Sequence, residues 1–423
     1  MLIDNGAYNS IGDMCLRRSL MMLTSAYHIP HIKARGRLVY TNNPWGGAAR
    51  GAGPPQSNFA VECAVNMLAE KVGIDPLQFR LQNSLQPGQI GSTGVTVEQW
   101  PFRPLCEAMK PHYERACRDA REQENDQVKR GVGLAAVGFG IGDPDDESLV
   151  ALELDPDGGV TIYAGVADPG EGNDSMLTQL AAHSLELPLD KVRLQIRTTE
   201  NPTMAGFAAG SRMTFMGGGA LLDAVEQLKK VLNEAGAKSY QELKEAGYPT
   251  RFTGKKISLQ QDVPPQEGMD PETGQGASFA THVLGLQMAE LEVNMKSGVV
   301  QVLKVTTAVD AGTVINPHNL EGQLEGGADQ GVGLALREEY VAGHTKDWVT
   351  FKFPRIEQSF EMESILHETP RVPGTNGSTG IGELTLLPTA PAVISAIKDA
   401  TGVWLCHLPA TPAKVKAALE GTS

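Results

Sequence analysis

The sequence predicts an α+β protein with mixed sheets and packed helices, in two domains over residues 1–130 and 131–423. Three observations carry this reading. A chain of 423 residues exceeds what one ordinary hydrophobic core organises. In the second half a pattern of strand, turn, strand, glycine loop and helix occurs twice. In the first half helical spacing dominates and ends at a polar linker, Gln123-Glu-Asn-Asp-Gln-Val-Lys-Arg130, which sets the domain boundary.

The elements follow in order. Met1 to Tyr8 reads as a strand running into a turn, so this sheet is expected to be completed by a partner segment. The apolar stretch from Leu20 to Ala26 follows Arg17 and Arg18 and is too short to span a membrane. Arg37 to Tyr40 is a strand candidate leading into Asn42–Pro55, a run of Gly, Ala and Pro around the single Arg50. Such a run is no regular element. Its backbone N–H groups could bind an oxyanion or a metal-bound oxygen; the competing reading is a connector whose arginine makes one salt bridge. Phe59, Cys63 and Met67 give a helix from Asn58 to Lys71 that stops at Gly73. Asp75-Pro76 is an N-cap and first helical residue for a helix through Asn83. Residues 105–130 are helical and highly charged.

In the first copy of the repeat, Leu149–Leu154 and Val160–Tyr163 are strands joined by Asp155-Pro-Asp-Gly-Gly159. Asp168-Pro-Gly-Glu-Gly172 follows, then a helix from Ser175 to Leu185. In the second copy, Met288–Asn294 and Val299–Val305 are joined by Lys296-Ser-Gly298. Asp310-Ala-Gly312 follows, then Asn316-Pro317 and a helix to Leu336. That helix holds Gly322, Gly326, Gly327, Gly331 and Gly333. Each costs about 1 kcal/mol against Ala, so another backbone or a flat ligand is expected to pack close to it. Between the copies, Ala208-Ala209-Gly210-Ser211-Arg212 precedes Gly217-Gly218-Gly219 and a helix, a ready anion site. Residues 235–280 look like a peripheral excursion. After Pro388 and Pro391 one helix runs to Ala400, and a second opens at Thr411-Pro412.

The chemistry concentrates near the end, in Gly377-Ser-Thr-Gly-Ile-Gly-Glu-Leu384. Three glycines let the backbone approach a ligand closely. Glu383, flanked by Ile381 and Leu384, is a candidate general base with a raised pKa; the alternative is a surface turn with a solvated acid. The net charge of -14 argues against nucleic acid and against an anionic membrane as partner. Five cysteines without CxxC spacing make neither a disulfide framework nor a metal site and fit a reduced, cytoplasmic setting. Residues 1–10 show no signal-peptide pattern. A GxxxxGK[ST] loop is absent, and no GxGxxG follows a strand in a βαβ unit.

Four stretches, in this order, resemble the molybdenum-binding large subunit of the xanthine dehydrogenase/aldehyde oxidoreductase family, in its C-terminal portion. They are Trp45-Gly-Gly-Ala-Ala-Arg-Gly-Ala-Gly-Pro-Pro-Gln56, Gly170-Glu-Gly172, Ala209-Gly-Ser-Arg212 and Gly380-Ile-Gly-Glu383. Asn43-Pro-Trp-Gly46 and Pro54-Pro-Gln-Ser57 are similar to the bacterial aldehyde oxidoreductases. The resemblance implies the molybdopterin-binding large-subunit fold, incomplete without a partner segment, and a molybdopterin cytosine dinucleotide carrying molybdenum with no direct protein ligand to the metal. It implies oxidation of an aldehyde to a carboxylic acid with water-derived oxygen, Glu383 being general base beside the molybdenum. Ala49, Arg50, Gly51, Gly170, Glu171, Gly172, Ala209, Gly210, Ser211 and Gln323 align with cofactor-binding positions. Arg18 aligns with an arginine that orients substrate in purine-oxidising members, and Ala52 with a substrate-side residue.

Three departures stand out. Ala49 replaces a usual Phe, Ala52 a usually larger residue, and Glu171 a usual Gln. The first two enlarge the pocket. Glutamine donates and accepts, whereas an ionised Glu only accepts, so Glu171 weakens binding there unless protonated or paired. The family's earlier pterin-contacting loop, the cysteines for [2Fe–2S] clusters and a flavin domain are not in this sequence. The implied partners are a chain supplying the N-terminal half, an iron–sulfur subunit and a flavin (FAD) subunit. Two other readings stand beside the first: a purine or N-heterocycle hydroxylase, favoured by Arg18, and a non-catalytic structural half, favoured by Ala49 and Glu171.

Overall fold

Two glycine-bearing strand pairs grow into two mixed sheets, and the helices between them cover their faces. The computed structural model describes residues 1–421 except 124, 197, 199–202, 259–269, 271 and 372–374. In chain order, β1 (Leu2–Asp4), α1 (Gly12–Met21) and β2 (Arg37–Val39) open the chain. The helices α2 (Pro54–Val72), α3 (Pro76–Asn83) and α4 (Phe102–Gln123) follow. Next come β3 (Val128–Ile141), β4 (Glu147–Leu154), β5 (Val160–Ala164), α5 (Asn173–Leu185), β6 (Val192–Ile196) and α6 (Met213–Ala235). Then follow α7 (Tyr240–Glu245), β7 (Arg251–Ile257), β8 (Thr281–Asn294), β9 (Val300–Asp310) and α8 (Pro317–Leu336). The chain ends with α9 (Trp348–Phe351), β10 (Glu361–His367), α10 (Thr389–Thr401) and α11 (Pro412–Leu419).

One sheet has the order β10-β9-β8-β3 and the other β6-β5-β4-β7. Each contains one parallel pair, β9 with β10 and β5 with β6, and is otherwise antiparallel. β1 and β2 form a separate parallel pair.

The strand β3, one of two with 14 residues, escapes a reading by alternation because both its faces are buried. Leu134 and Ala136 of β3 join Phe102, Leu105 and Met109 of α4 in one core. Ala135 faces the other way, with Val393 and Ile397 of α10. The helix expected over 105–130 therefore stops at Gln123, and Val128–Arg130 already belong to β3. The glycines of β3 let α10 lie directly on the strand. A Cβ on Gly133 would sit 2.1 Å from the Ala392 carbonyl oxygen, and one on Gly131 2.0 Å from that of Ala396. Backbone cannot yield as a flexible side chain does. Gly133→Ala is therefore expected to destabilise the protein by about 1–3 kcal/mol through overpacking, read as a lowered midpoint in denaturant unfolding. An unchanged midpoint would refute the close packing.

Three expectations need correction. The second helix begins at Pro54, four residues before Asn58, because Gly53 turns the chain at φ 105° and the two prolines occupy a first turn that lacks N–H partners anyway. The three glycines 217–219 lie inside α6, which begins at Met213. Residues 235–280 are not merely peripheral: β7 pairs with β4 over seven residues and packs Gly254 against α6; residues 259–269 and 271 of that stretch lie outside the described residues. Of the α8 glycines, Gly327 and Gly331 pack tightly against Thr385 and Thr389, with Thr385 backbone among the contacts, whereas a Cβ on Gly322 would meet nothing within 4 Å.

Candidate active site

Four loops converge on one cavity of about 570 Å³. They are the segment before α2 at Ala48–Arg50, the loop entering α5 at Pro169–Asn173, the segment entering α6 at Ala208–Thr214, and Gly380–Glu383 before α10; Gln323 of α8 closes one side. Left-handed backbone builds this wall. Gly170, Gly172 and Gly210 have φ of 122°, 89° and 70°. A Cβ on Gly170 or Gly210 would meet nothing within 4 Å, so backbone faces open space there. The Asp168 carboxylate fixes the second loop by accepting from the amides of Gly170 and Gly172 at 3.0 Å and of Asp174 at 3.1 Å.

Glu383 sits at the cavity wall. Its amide donates to the Ser211 hydroxyl at 2.9 Å. Gly380 allows this approach: a Cβ there would lie 1.9 Å from the Ser211 carbonyl oxygen. Oε2 of Glu383 is buried and has no hydrogen-bond partner among the described residues. Burial pushes its carboxyl above the usual range; the Arg18 cation, the Gly51 and Gly210 amides and the Arg50 cation pull the other way without cancelling it. The solvated surface acid is thereby excluded.

Arg50 is not the single salt bridge of a connector. Its guanidinium donates to the Gly382 carbonyl at 2.5 Å, to Gln323 Oε1 at 2.8 Å and to Gln330 Oε1 at 3.2 Å. One side chain thus ties three elements together around the cavity, using the planar fork that lysine lacks. Glu171 also lines the cavity, and its Oε1 accepts from Asn173 Nδ2 at 2.6 Å. Burial, with the Asp168 charge adding to it, raises its carboxyl above the ordinary value. It is therefore paired, which the sequence left open.

The structure brings Ala49, Arg50, Gly170, Glu171, Gly172, Ala209, Ser211, Gln323 and Glu383 to this one cavity, with Gly51 and Gly210 at the Glu383 carboxylate. Arg18 and Ala52 do not line it. Arg18 is 5 % exposed, not a surface charge: it pairs with Asp143 at 2.7 Å and its guanidinium lies over the rings of Phe139 and Phe279. Ala52 is buried at φ 47°, a left-handed conformation that costs about 1–2 kcal/mol in a non-glycine residue. Gln330, Asn173 and the pair of buried Arg212 with half-buried Asp146, 2.5 Å apart, were missed as supports of the site. Asp168 two and four residues before glycines is a legible loop-fixing signal; nothing in the sequence flags Gln330.

Among the described residues, no group of three or more His, Cys, Asp or Glu could hold a metal ion, and no helix is long and apolar enough to cross a membrane.

Residues 1–84 and 108–359 each match a molybdopterin cofactor-binding domain family. The chain is 36% identical over 428 residues to the aldehyde oxidoreductase of Megalodesulfovibrio gigas, covering 99% of this chain and 46% of that protein. It is 26% identical over 448 residues to the xanthine dehydrogenase molybdenum-binding subunit of Escherichia coli O157:H7, covering 98% and 59%. The solved aldehyde oxidoreductase of Desulfovibrio gigas superposes with a TM-score of 0.94 at 35% identity, covering 99% of this chain and 46% of that one. Quinoline 2-oxidoreductase of Pseudomonas putida 86 shares the fold, with a TM-score of 0.87 at 21% identity, covering 99% and 59%. The chain spans about half the length of the relatives it matches.

Proposed function

We propose a function from this premise: the chain belongs to the molybdopterin-binding subunits of the xanthine dehydrogenase/aldehyde oxidoreductase family. It forms the molybdenum-binding half of an oxidoreductase that converts an aldehyde into a carboxylic acid, the added oxygen coming from water. One observation carries the reading: Glu383, with a buried carboxylate oxygen that has no hydrogen-bond partner among the described residues, lines the cavity beside the open backbone at Gly170 and Gly210. The aldehyde oxidoreductase at 36% identity supports the choice of substrate class.

The residues present fit a flat, polar cofactor. Open space beside the left-handed backbone of Gly170 and Gly210 gives it room. Ala49, Arg50, Gly51, Gly170, Glu171, Gly172, Ala209, Gly210, Ser211 and Gln323 would hold it, in its cytosine dinucleotide form. When bound, the molybdenum–pterin group supplies a two-electron acceptor and Lewis-acid activation of water. Glu383 then takes up a proton at Oε2, and desolvation makes that carboxylate a stronger base than an exposed one. Ser211 fixes the Glu383 backbone, and Arg50 locks the preceding carbonyl. Glu171 is held by the Asn173 amide, and burial raises its carboxyl above the ordinary value, so it is less readily ionised than an exposed acid at the position where glutamine would offer an amide. A chain supplying the N-terminal half, an iron–sulfur subunit carrying [2Fe–2S] clusters and a flavin subunit complete the path for electrons, in a reducing, cytoplasmic setting that suits five free cysteines.

Metal analysis of the purified complex is expected to give about one molybdenum and one releasable cytidine monophosphate per chain; finding neither would favour a structural half. With a dye acceptor, aldehydes are expected to be turned over. Turnover of purines or nicotinate without aldehydes would replace this reading with the hydroxylase one, to which the xanthine dehydrogenase relative gives weight.

A further inference from the structure

A second cavity, of about 240 Å³, lies under the 85–100 segment and shares no lining residue with the first. Three rings form part of its wall. His282, the second residue of β8, lies with its ring 5.2 Å from that of Trp100 and 5.9 Å from that of Phe279, centroid to centroid. Met21, Leu85 and Val97 add apolar surface, and Ser92 and Thr93 lie among the polar residues.

The polar groups there are unequally engaged. Arg371 is spent on the fold: it donates to the carbonyls of His282 and Thr369 and pairs with buried Asp310 at 3.0 Å. The indole N–H of Trp100 donates to the Ala26 carbonyl at 3.3 Å. The Ser92 hydroxyl donates to the Met21 carbonyl at 2.8 Å. The imidazole of His282 is different: among the described residues its nitrogens have no hydrogen-bond partner. Burial, and then the Arg371 cation, depress its pKa to about 4, so the ring is neutral at pH 7, with one nitrogen accepting and one donating.

A dry apolar cavity of about 150 Å³ suffices for benzene. This one is larger, carries aromatic walls that favour offset or edge-on ring contacts, and holds one uncommitted acceptor. A cation would meet Arg371, and a purely aliphatic guest would leave the imidazole unsatisfied. We propose that this cavity is a second small-molecule site, taking a neutral, flat heteroaromatic or phenolic ring whose N–H or O–H donates to His282. It is independent of the oxidoreductase reading and of any cofactor.

Indole and toluene serve as probes, the first with an N–H donor and the second without. Ligand-detected NMR titration of the purified protein is expected to show saturable indole binding at least tenfold tighter than toluene, the factor that one hydrogen bond of about 1.4 kcal/mol supplies. Ala277→Leu, which fills the cavity from its wall, is expected to abolish indole binding. His282→Phe keeps a ring but not the acceptor, and is expected to reduce the preference for indole over toluene to near unity. If Ala277→Leu fails to fold, the His282→Phe comparison decides alone. No saturable indole binding, equal affinity for both probes, or indole binding unaltered in these variants would overturn the proposal.

Discussion

Glu383→Gln is expected to lower turnover by about 10²–10⁴-fold, the usual contribution of a positioned general base, while molybdenum and pterin content stay as in the parent. Glutamine keeps the shape and cannot take a proton. The backbone bond from Glu383 to Ser211 survives the change, so the loop is expected to hold its place. The parent enzyme's pH dependence follows from the same burial. A base works deprotonated, so the rate is expected to rise with pH through an acid limb above the ordinary carboxylate range. Stability runs the opposite way. A carboxyl whose folded pKa is raised stabilises fully below its unfolded value, and that contribution is lost as pH rises through the folded value. Above its folded pKa the ionised side chain is a liability, and there the glutamine variant is expected to be at least as stable as the parent in its cofactor-free form. Retained turnover, or lost metal, would remove Glu383 from this role.

The largest structural loss is expected at Arg80. It and Glu62 are fully buried, 2.7 Å apart. Glu62 Oε2 also accepts from the Ala136 amide at 2.8 Å, and Oε1 from the Tyr27 hydroxyl at 2.6 Å. Arg80 reaches Asn66 at 3.0 Å and the Leu134 carbonyl at 2.8 Å. The pair therefore ties α2 and α3 to the middle of β3. Arg80→Leu strands a buried carboxylate, which costs about 3–5 kcal/mol, whereas replacing both partners by leucine is expected to recover much of that loss because the uncompensated charge goes too. Denaturant unfolding of the parent, the single and the double variant checks this. A single variant no less stable than the double would contradict it.

These supports show where a sequence stops being legible. The loops of the site were readable because they are rich in glycine outside any regular element, and Gly170, Gly172 and Gly210 there do take positive φ. Caps were readable for the same local reason, as at Asp75 and Thr411, whose side chains accept the helix amides as expected. β3 was not, since burial of both faces erases alternation and its glycines, needed under α10, look like loop residues. Nor was the partner of Arg50, because Gln330 is 280 positions away and marked by nothing nearby. The glycine-rich run located Glu383, and the family resemblance gave it its role. Only the fold shows that Glu383 lines the cavity with one buried, unpartnered oxygen, and that Arg18, whose charge still reaches Glu383, pairs with Asp143.

Anomalous diffraction at the molybdenum edge, from crystals of the purified complex, tests the central claim most directly. The expected result is a single strong molybdenum peak inside the cavity bounded by Arg50, Gly170 and Ser211, with Glu383 the protein carboxylate nearest to it. A peak outside that cavity, or another carboxylate closer to the metal, would contradict the account.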